Sequence, residues 1–314
     1  MDSELTSKAR SSTVAERETK GEALDRGTRM PTRTEGEAGT GLAGAGLAAL
    51  EDVIFEEFEV QRIHREKSRY NREPDRIPII AEISLKVFVN DEEIASMLCL
   101  NQHQEDLALG FLYSEGVIDS YDCVEDIHFN SAALAVHIRL ASGLAVSRQE
   151  SLRSITAGCG KCFTYINPQK HSQFKVIDSA ITYPLGEVMD KMQDFCGTSP
   201  IYKAMGGAHS LLFSTHELSF FSEDIGRHNC FDKVIGMMLR QGKAHLAHDG
   251  IAYISGRVTS EIMTKAIRVG VPILVSKSTP STAAIKLATK YNITLLGYVV
   301  KDTGYIYSAP ERLT

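Results

Sequence analysis

The sequence predicts an α/β protein in which a smaller N-terminal α+β region is followed by a larger α/β domain with a mainly parallel sheet. In the last third, short apolar runs typical of buried strands alternate with helical segments. Before it, strands of alternating polarity surround one helical segment, which is the mixed order of an α+β region. With 314 residues, 43% of them hydrophobic, the chain is long enough for both.

The domain organisation follows from changes in composition. Residues 1–50 are polar and then rich in Gly and Ala, which predicts a disordered tail because little surface is buried to offset the entropy of ordering. After the tail we expect the α+β region at 51–150, a mobile dithiol loop at 151–170 and an α/β nucleotide-cofactor domain at 171–314.

In the α+β region a tight turn is predicted to join two strands. Asn90-Asp91 separates Leu85–Val89 from Ile94–Leu98, and this dipeptide favours a hairpin. Acids open the segment Glu105–Gly116 and a glycine closes it, which predicts a helix. Further strands are predicted at Val53–Val60, Ile79–Val89, Ile127–Phe129 and Leu134–Leu140.

In the α/β domain, capping signals separate strands from helices. Asn229 and Thr259 suit helix caps, and Pro280 after Thr279 suits a first helical position. The predicted strands are Ser210–Phe213, Leu218–Ser222, Ile251–Ser255, Pro272–Ser276 and Ile293–Val300. The predicted helices are Leu185–Phe195, Cys230–Arg240, Ser260–Val269 and Pro280–Lys290.

Three strand-to-helix junctions have the composition of an anion-binding site: Glu223–Asn229, Ser255–Glu261 and Ser276–Thr282. Helix N-termini at the carboxyl ends of strands bind phosphate, and small or hydroxylated residues suit this role. Each junction also supplies one cation that can bind phosphate oxygens. These cations are Arg227, Arg257 and Lys277. The residues support two interpretations equally, a site for a nucleotide-sized anion or ordinary caps and surface cations.

Two histidines accompany these junctions. Gly206-Gly207-Ala208-His209 precedes a strand, and a tight turn with an exposed histidine is favoured over a ligand donor. His228 lies at a predicted helix start between a cation and an amide, where capping and packing explain it as well as ligand binding does.

The stretch Gly158–Cys162 carries two thiols, Cys159 and Cys162, with Lys161 between them. A nearby ammonium favours the thiolate, which is the nucleophilic form of cysteine. Six cysteines with one closely spaced pair, in a chain without an N-terminal apolar run, indicate reduced thiols in the cytoplasm. The net charge of −6 predicts no binding of nucleic acid. The lack of long apolar runs predicts no membrane-spanning segment.

Several kinds of chemistry use such a pair. A structural zinc site needs further ligands at fixed spacing, and no second CxxC is present, so we expect no structural metal. A thioredoxin motif follows a strand, and none is evident here. A zinc deaminase needs a proline directly before the CxxC, and in this chain Gly158 precedes Cys159. A dithiol loop that carries sulfur and a surface pair without function both remain open.

Taken together, four motifs resemble the formate dehydrogenase accessory sulfurtransferase family, FdhD, over roughly residues 75–312. They are Glu105–Gly116, Gly158–Cys162, Glu223–Asn229 with Asp232-Lys233, and Ser255–Arg257 with Glu261 and Lys265. The resemblance implies a carrier of the sulfurtransferase type with a cysteine persulfide intermediate. Cys159 would bear the sulfur and Cys162 would assist.

The family's role implies partners and a cargo. Sulfur would come from a cysteine desulfurase and pass to molybdenum bis(molybdopterin guanine dinucleotide), bound as a substrate and then inserted into formate dehydrogenase. The resemblance also implies a homodimer and a larger domain similar to cytidine deaminase. The rival functions are a thiol-disulfide oxidoreductase and a zinc-holding binding protein.

The expected cofactor-binding residues come from the strand-to-helix junctions and from the same resemblance. In the C-terminal stretch, Val300 and Thr303 take places where the family often has arginines, and Lys301 replaces one charge without the bidentate geometry of a guanidinium. The expected set is Tyr298, Val299, Val300, Lys301, Asp302, Thr303, Arg227, His228, Gly256, Arg257 and Ser278.

Overall fold

The computed structural model describes residues 54–141 and 174–314. These residues form a two-stranded, a four-stranded and a six-stranded sheet together with six α-helices. The predicted tail at 1–50 and the dithiol loop at 151–170 lie outside the described residues. The predicted domain boundaries therefore stay predictions.

The described chain begins with a long antiparallel hairpin, here called the hairpin arm. Strands β1 (Phe55–Glu66) and β2 (Arg69–Ile80) pair along their whole length, and most of their side chains are exposed. The arm includes the predicted strand Val53–Val60 where it is described, but it continues well beyond it. Charged residues hide the strand pattern in that extension.

A four-stranded sheet with one helix forms the α+β region. Its strands are β3 (Ile83–Val89), β4 (Glu92–Cys99), β5 (Val124–Asn130) and β6 (Ala135–Leu140), in the order β4-β3-β6-β5. The predicted hairpin turn is confirmed, since Asn90 and Asp91 both have positive φ, as this turn requires. Helix α1 (Gln104–Glu115) ends at Gly116, as predicted.

The six-stranded sheet is mixed, so the prediction of a mainly parallel sheet is wrong. The order is β12-β11-β10-β9-β7-β8; β9–β10 and β10–β11 pair in parallel, and the other three neighbouring pairs are antiparallel. Short turns join β7 to β8 and β11 to β12, and such turns can connect only antiparallel strands. The strands are β7 (His209–Ser214), β8 (Ser219–Asp224), β9 (Ile251–Ile254), β10 (Ile273–Ser276), β11 (Thr294–Val300) and β12 (Thr303–Ser308).

Helices cover both faces of this sheet, which explains the continuous apolar runs of its central strands. Tyr253 and Val275 pack against α2, whereas Ile254 and Leu274 lie in the core formed with the helices of the other face. The helices are α2 (Leu185–Cys196), α3 (Pro200–Met205), α4 (Arg227–Arg240), α5 (Ser260–Val269) and α6 (Thr282–Lys290). Short 3₁₀ turns lie at Tyr121–Cys123, Ala244–Asp249 and Pro310–Arg312.

Two predicted helix starts need correction. Asn229 does not cap α4, because the helix begins two residues earlier and the Asn229 side chain donates to Asp224 and to the carbonyl oxygen of Leu98 instead. Helix α6 begins two residues after Pro280, with Ser281 as the cap. The cap at Thr259 is confirmed, since its hydroxyl accepts from the amide of Ile262 at 3.5 Å.

Helices α1 and α4 cross with their backbones in close contact, and this crossing joins the α+β region to the α/β layer. A Cβ placed on Gly110 would lie 1.8 Å from the carbonyl oxygen of Asp232, and one on Gly236 would lie 1.9 Å from that of Asp106. Only glycine permits this approach, because any side chain would overlap the facing backbone.

Candidate functional site

The three predicted junctions share one edge of the six-stranded sheet. Strand β8 is antiparallel to β7, and β7 is antiparallel to β9, so β8 points the same way as β9, β10 and β11. The carboxyl ends of these four strands and the N-terminus of β7 therefore lie together. We call this the sheet edge.

Gly256 lies where two of the junctions meet. A Cβ there would be 3.1 Å from Nδ1 of His209 and 3.3 Å from the side chain of Arg227. The carbonyl oxygen of Gly256 accepts a hydrogen bond from Ser276 at 2.8 Å, and the same hydroxyl accepts from the amide of Ser278 at 3.0 Å. Residues far apart in sequence are thus held within one small area.

His209 is not the exposed turn residue that the sequence favoured. It is partly buried beside Arg227. Burial is the largest cause that lowers its pKa, Arg227, His228 and Arg257 lower the pKa further, and Asp224 opposes them. The ring is therefore neutral at pH 7, with one nitrogen that donates and one that accepts.

His228 connects the first turns of α4 and α5. Its Nε2 lies 3.0 Å from a carboxylate oxygen of Glu261. Interaction with His228 lowers the pKa of Glu261, although burial opposes it. The pair fixes the relative position of two helix N-termini at the sheet edge.

Beneath the edge lies a buried ionic network. Asp224 and Lys233 are both fully buried, with 2.6 Å between carboxylate and ammonium. The Asp224 carboxylate also accepts from the amides of Gly226 and Leu100, at 3.0 and 3.2 Å, and the latter belongs to the α+β region. Asp224 therefore fixes the start of α4 and joins the two regions.

A second buried pair links the next helix. The ammonium of Lys265 contacts the carboxylate of Asp232, which also accepts a 2.7 Å hydrogen bond from Ser114 of α1. Several of the motif residues are thus structural, and they hold the half-buried Arg227 and His228 and the exposed Arg257 above them.

The turn between β11 and β12 places part of the predicted C-terminal set at the same edge. The amide of Tyr298 donates to the carbonyl oxygen of Ser278 at 3.0 Å, so these two residues are neighbours. The ring of Tyr298 and the side chain of Val300 are exposed, whereas Val299 packs into the core. Asp302 contacts Gln193 of α2 at 3.4 Å, on the side facing that helix.

The family model for the FdhD/NarQ family matches residues 80–314. The chain belongs to the FdhD/NarQ family. This confirms the resemblance inferred from the four motifs.

Curated relatives agree with this FdhD/NarQ assignment. The chain is 34% identical to the Sulfur carrier protein FdhD of Staphylococcus aureus strain MRSA252, over 238 residues that cover 74% of this chain and 88% of the relative. The protein of the same name from strain Newman matches with the same identity and coverage.

A solved structure supports the fold. It is a crystal structure from Desulfotalea psychrophila described as a formate dehydrogenase accessory protein, with a TM-score of 0.67 and 21% identity, covering 83% of this chain and 100% of that chain. The predicted α/β class is confirmed. The likeness to cytidine deaminase stays a prediction, as does the homodimer.

The predicted sulfur-carrying residues Cys159 and Cys162 lie outside the described residues. Burial raises the pKa of Cys196 and raises that of Cys230 well above its usual value. Neither environment favours the reactive thiolate. Within 54–141 and 174–314 no group of three or more His, Cys, Asp or Glu residues is arranged to bind a metal, and no helix there could span a membrane.

One residue next to the sheet edge, Tyr202, was not predicted from the sequence. The ring of Tyr202 in α3 is about half exposed, and the ammonium of Lys277 lies over it at 5.8 Å from the centroid. Helix α3 is only six residues long and follows Gly197-Thr198-Ser199, so the sequence indicated a break there. Lys277 thus packs partly on α3.

Proposed function

We propose that this chain is a sulfur carrier in formate dehydrogenase maturation, which accepts persulfide sulfur from a cysteine desulfurase and passes it to molybdenum bis(molybdopterin guanine dinucleotide). The observation that carries the proposal is the sheet edge, where helix N-termini, cations and a neutral histidine meet. The name of the curated relatives, sulfur carrier protein, supports the same role.

The sheet edge suits the guanosine diphosphate part of that cargo. The N-termini of α5 and α6 begin at the carboxyl ends of β9 and β10, and aligned peptide dipoles favour phosphate there. Arg227 and Arg257 add guanidinium groups that can bind two phosphate oxygens at once. Gly256 lets the ligand approach the backbone, and His209 offers a neutral donor and acceptor.

The sulfur chemistry belongs to Cys159. Its thiolate attacks the terminal sulfur of the desulfurase persulfide, the S–S bond of the donor breaks, and the donor cysteine leaves as a thiolate. Cys159 then holds the persulfide, with Cys162 assisting, until the sulfur reaches the metal of the bound cargo. Formate dehydrogenase receives the sulfurated cargo.

Titration with GDP tests the nucleotide site. We expect saturable binding by the full chain, weakened about tenfold or more by Arg227→Ala, because a charge-assisted hydrogen bond contributes about 1.5–3 kcal/mol. Lys286→Ala is the matched control, since it removes an exposed cation of α6 away from the helix start. No measurable binding by the wild-type chain, or equal losses in both variants, would rule out this edge as the cargo site.

A further inference from the structure

The four-stranded sheet carries a row of three rings on the face turned away from helix α1. Val87 of β3 and Val136 of β6 belong to the hydrophobic core that α1 completes. Successive side chains of a strand point to opposite faces, so Phe88 and His137 lie on the other face. His128 of β5 lies directly opposite His137 in the antiparallel pairing and shares its face.

The three rings stack nearly parallel across three neighbouring strands. The centroids of Phe88 and His137 lie 4.8 Å apart with 10° between the ring planes, and those of His137 and His128 lie 5.2 Å apart with 12° between the planes. Phe88 packs on one side of His137 and holds that ring in place. The side chain of His128 is 60% exposed, and its outer torsion has a broad range, so this ring can turn.

Two imidazoles side by side on a solvent-facing surface have the chemistry of a metal site. Imidazole nitrogen suits late first-row divalent ions, at bond lengths of about 2.0–2.1 Å. Two nitrogens bound to one ion therefore lie at most about 4 Å apart. The rings of His128 and His137 need only tilt towards each other to meet this limit.

Asp126 is placed to orient one of the two ligands. One of its carboxylate oxygens lies 3.8 Å from Nδ1 of His128. A histidine that binds a metal usually donates its other ring N–H to a carboxylate or carbonyl group, which fixes the tautomer. With Nδ1 of His128 turned to Asp126, Nε2 is left to bind an ion. Asp126 also counters the positive charge of Arg139, its partner in the strand register.

We propose that His128 and His137 together bind one divalent transition-metal ion of the class Ni²⁺, Cu²⁺ or Zn²⁺, with Asp126 orienting His128 and water completing the coordination. The ion joins the edge strand β5 to its neighbour β6. Because it binds only where the two strands are paired, it stabilises the folded chain.

This site is separate from the proposed function. It lies in the α+β region and uses imidazoles, whereas the expectation of no structural metal rested on the cysteine pair. With two histidines, it is consistent with the lack of three-ligand groups within 54–141 and 174–314. The inference holds whether or not the chain carries sulfur.

Calorimetric titration of the full chain with Ni²⁺ tests the proposal. We expect saturable binding that His128→Gln and His137→Gln each weaken at least about tenfold, since loss of an outer-shell partner alone has an effect of this size. His64→Gln is the matched control. His64 is also exposed and lies 3.9 Å from the carboxylate of Glu73, but it faces Asn71 across the strands and not a second histidine. Its loss should leave the affinity unchanged.

The thiols need a second background, because thiolates bind the same ions. The titrations are repeated in a chain with Cys159→Ser and Cys162→Ser, where the effects of the two histidine variants should persist. Asp126→Asn should weaken Ni²⁺ binding without abolishing it, since it removes only the carboxylate that orients His128.

Thermal unfolding gives an independent measurement. Ni²⁺ should raise the melting temperature of the wild-type chain, EDTA should reverse the rise, and His128→Gln should melt at the same temperature with and without Ni²⁺. No saturable binding in the background without Cys159 and Cys162 would overturn the proposal. Equal affinities of His128→Gln, His137→Gln and His64→Gln in that background would overturn it as well.

Discussion

His209 shows how the fold changes the chemistry of a single residue. Its place at the start of β7 suggested an exposed turn, yet the ring lies against Gly256 and among cations. Burial and these cations disfavour the charged imidazolium, so the folded chain resists protonation more than the unfolded chain does. A neutral ring beside Arg227 suits a site that binds anions through the arginine and neutral polar groups through the histidine.

This difference predicts a pH-dependent stability. The pKa of His209 is lower in the folded chain than in the unfolded chain, where it is about 6.5. The contribution of His209 to the free energy of unfolding is therefore fully present above about pH 6.5 and is lost as the pH falls below that value. Between about pH 7.5 and pH 5.5 the wild-type chain should therefore lose more thermal stability than His209→Gln. His245→Gln, which changes an exposed histidine, should lose as much as the wild-type chain. Equal losses in all three proteins would show that His209 is not disfavoured as a cation.

At the scale of elements, the crossing of α1 and α4 holds the α+β region against the layer that forms the sheet edge. The crossing depends on Gly110 and Gly236, and the buried pairs Asp224–Lys233 and Asp232–Lys265 flank it. Residues that lie away from the sheet edge therefore hold it in position.

Alanine at the crossing should destabilise the protein. Gly110→Ala would place a methyl group against the carbonyl oxygen of Asp232, and overpacking of this kind costs about 1–3 kcal/mol or more. Gly186→Ala is the control in α2, where the methyl group meets nothing within 4 Å and should stabilise the helix by about 0.5–1 kcal/mol. Urea unfolding measures both values, and similar effects of the two changes would refute the close crossing.

The elements also show what the sequence could predict. Local signals sufficed for the turn at Asn90-Asp91, the end of α1 at Gly116 and the cap at Thr259, because each depends on a few neighbouring residues. Strand direction could not be read locally, since the apolar runs of β9, β10 and β11 look alike whichever way their neighbours run. The partner of Asn229 was equally hidden, because it lies in the α+β region.

Only part of the sheet edge could be predicted from the sequence, because only some of its features follow from local patterns. Arg227, Gly256 and Ser278 were identified because helix N-termini in α/β sheets follow a general rule. The burial of His209 and the contact of Tyr202 with Lys277 depend on α3 and on chain packing that no local pattern reveals. Most residues of the buried network were recognised as motif residues, but nothing in the sequence separated them from residues that line the edge.

At the scale of the whole molecule, two candidate sites share one chain. The sheet edge is the proposed site for a guanine nucleotide, and the dithiol stretch Gly158–Cys162 lies in the segment between the α+β region and the α/β layer. Burial raises the pKa of Cys196 and Cys230, which makes these two thiols poor nucleophiles. In the dithiol stretch, the proposed carrier of sulfur, Lys161 stands between the two cysteines in sequence, and a nearby ammonium favours the thiolate.

The most direct test of this claim is mass spectrometry after incubation with a cysteine desulfurase and cysteine. Trypsin cleaves after Arg153, Lys161 and Lys170, so Cys159 and Cys162 fall on different peptides. After alkylation, the account predicts an added mass of about 32 Da, one sulfur atom, on the peptide 154–161, and its loss in Cys159→Ala. Added sulfur found only on peptides containing Cys99, Cys123, Cys196 or Cys230 would contradict it.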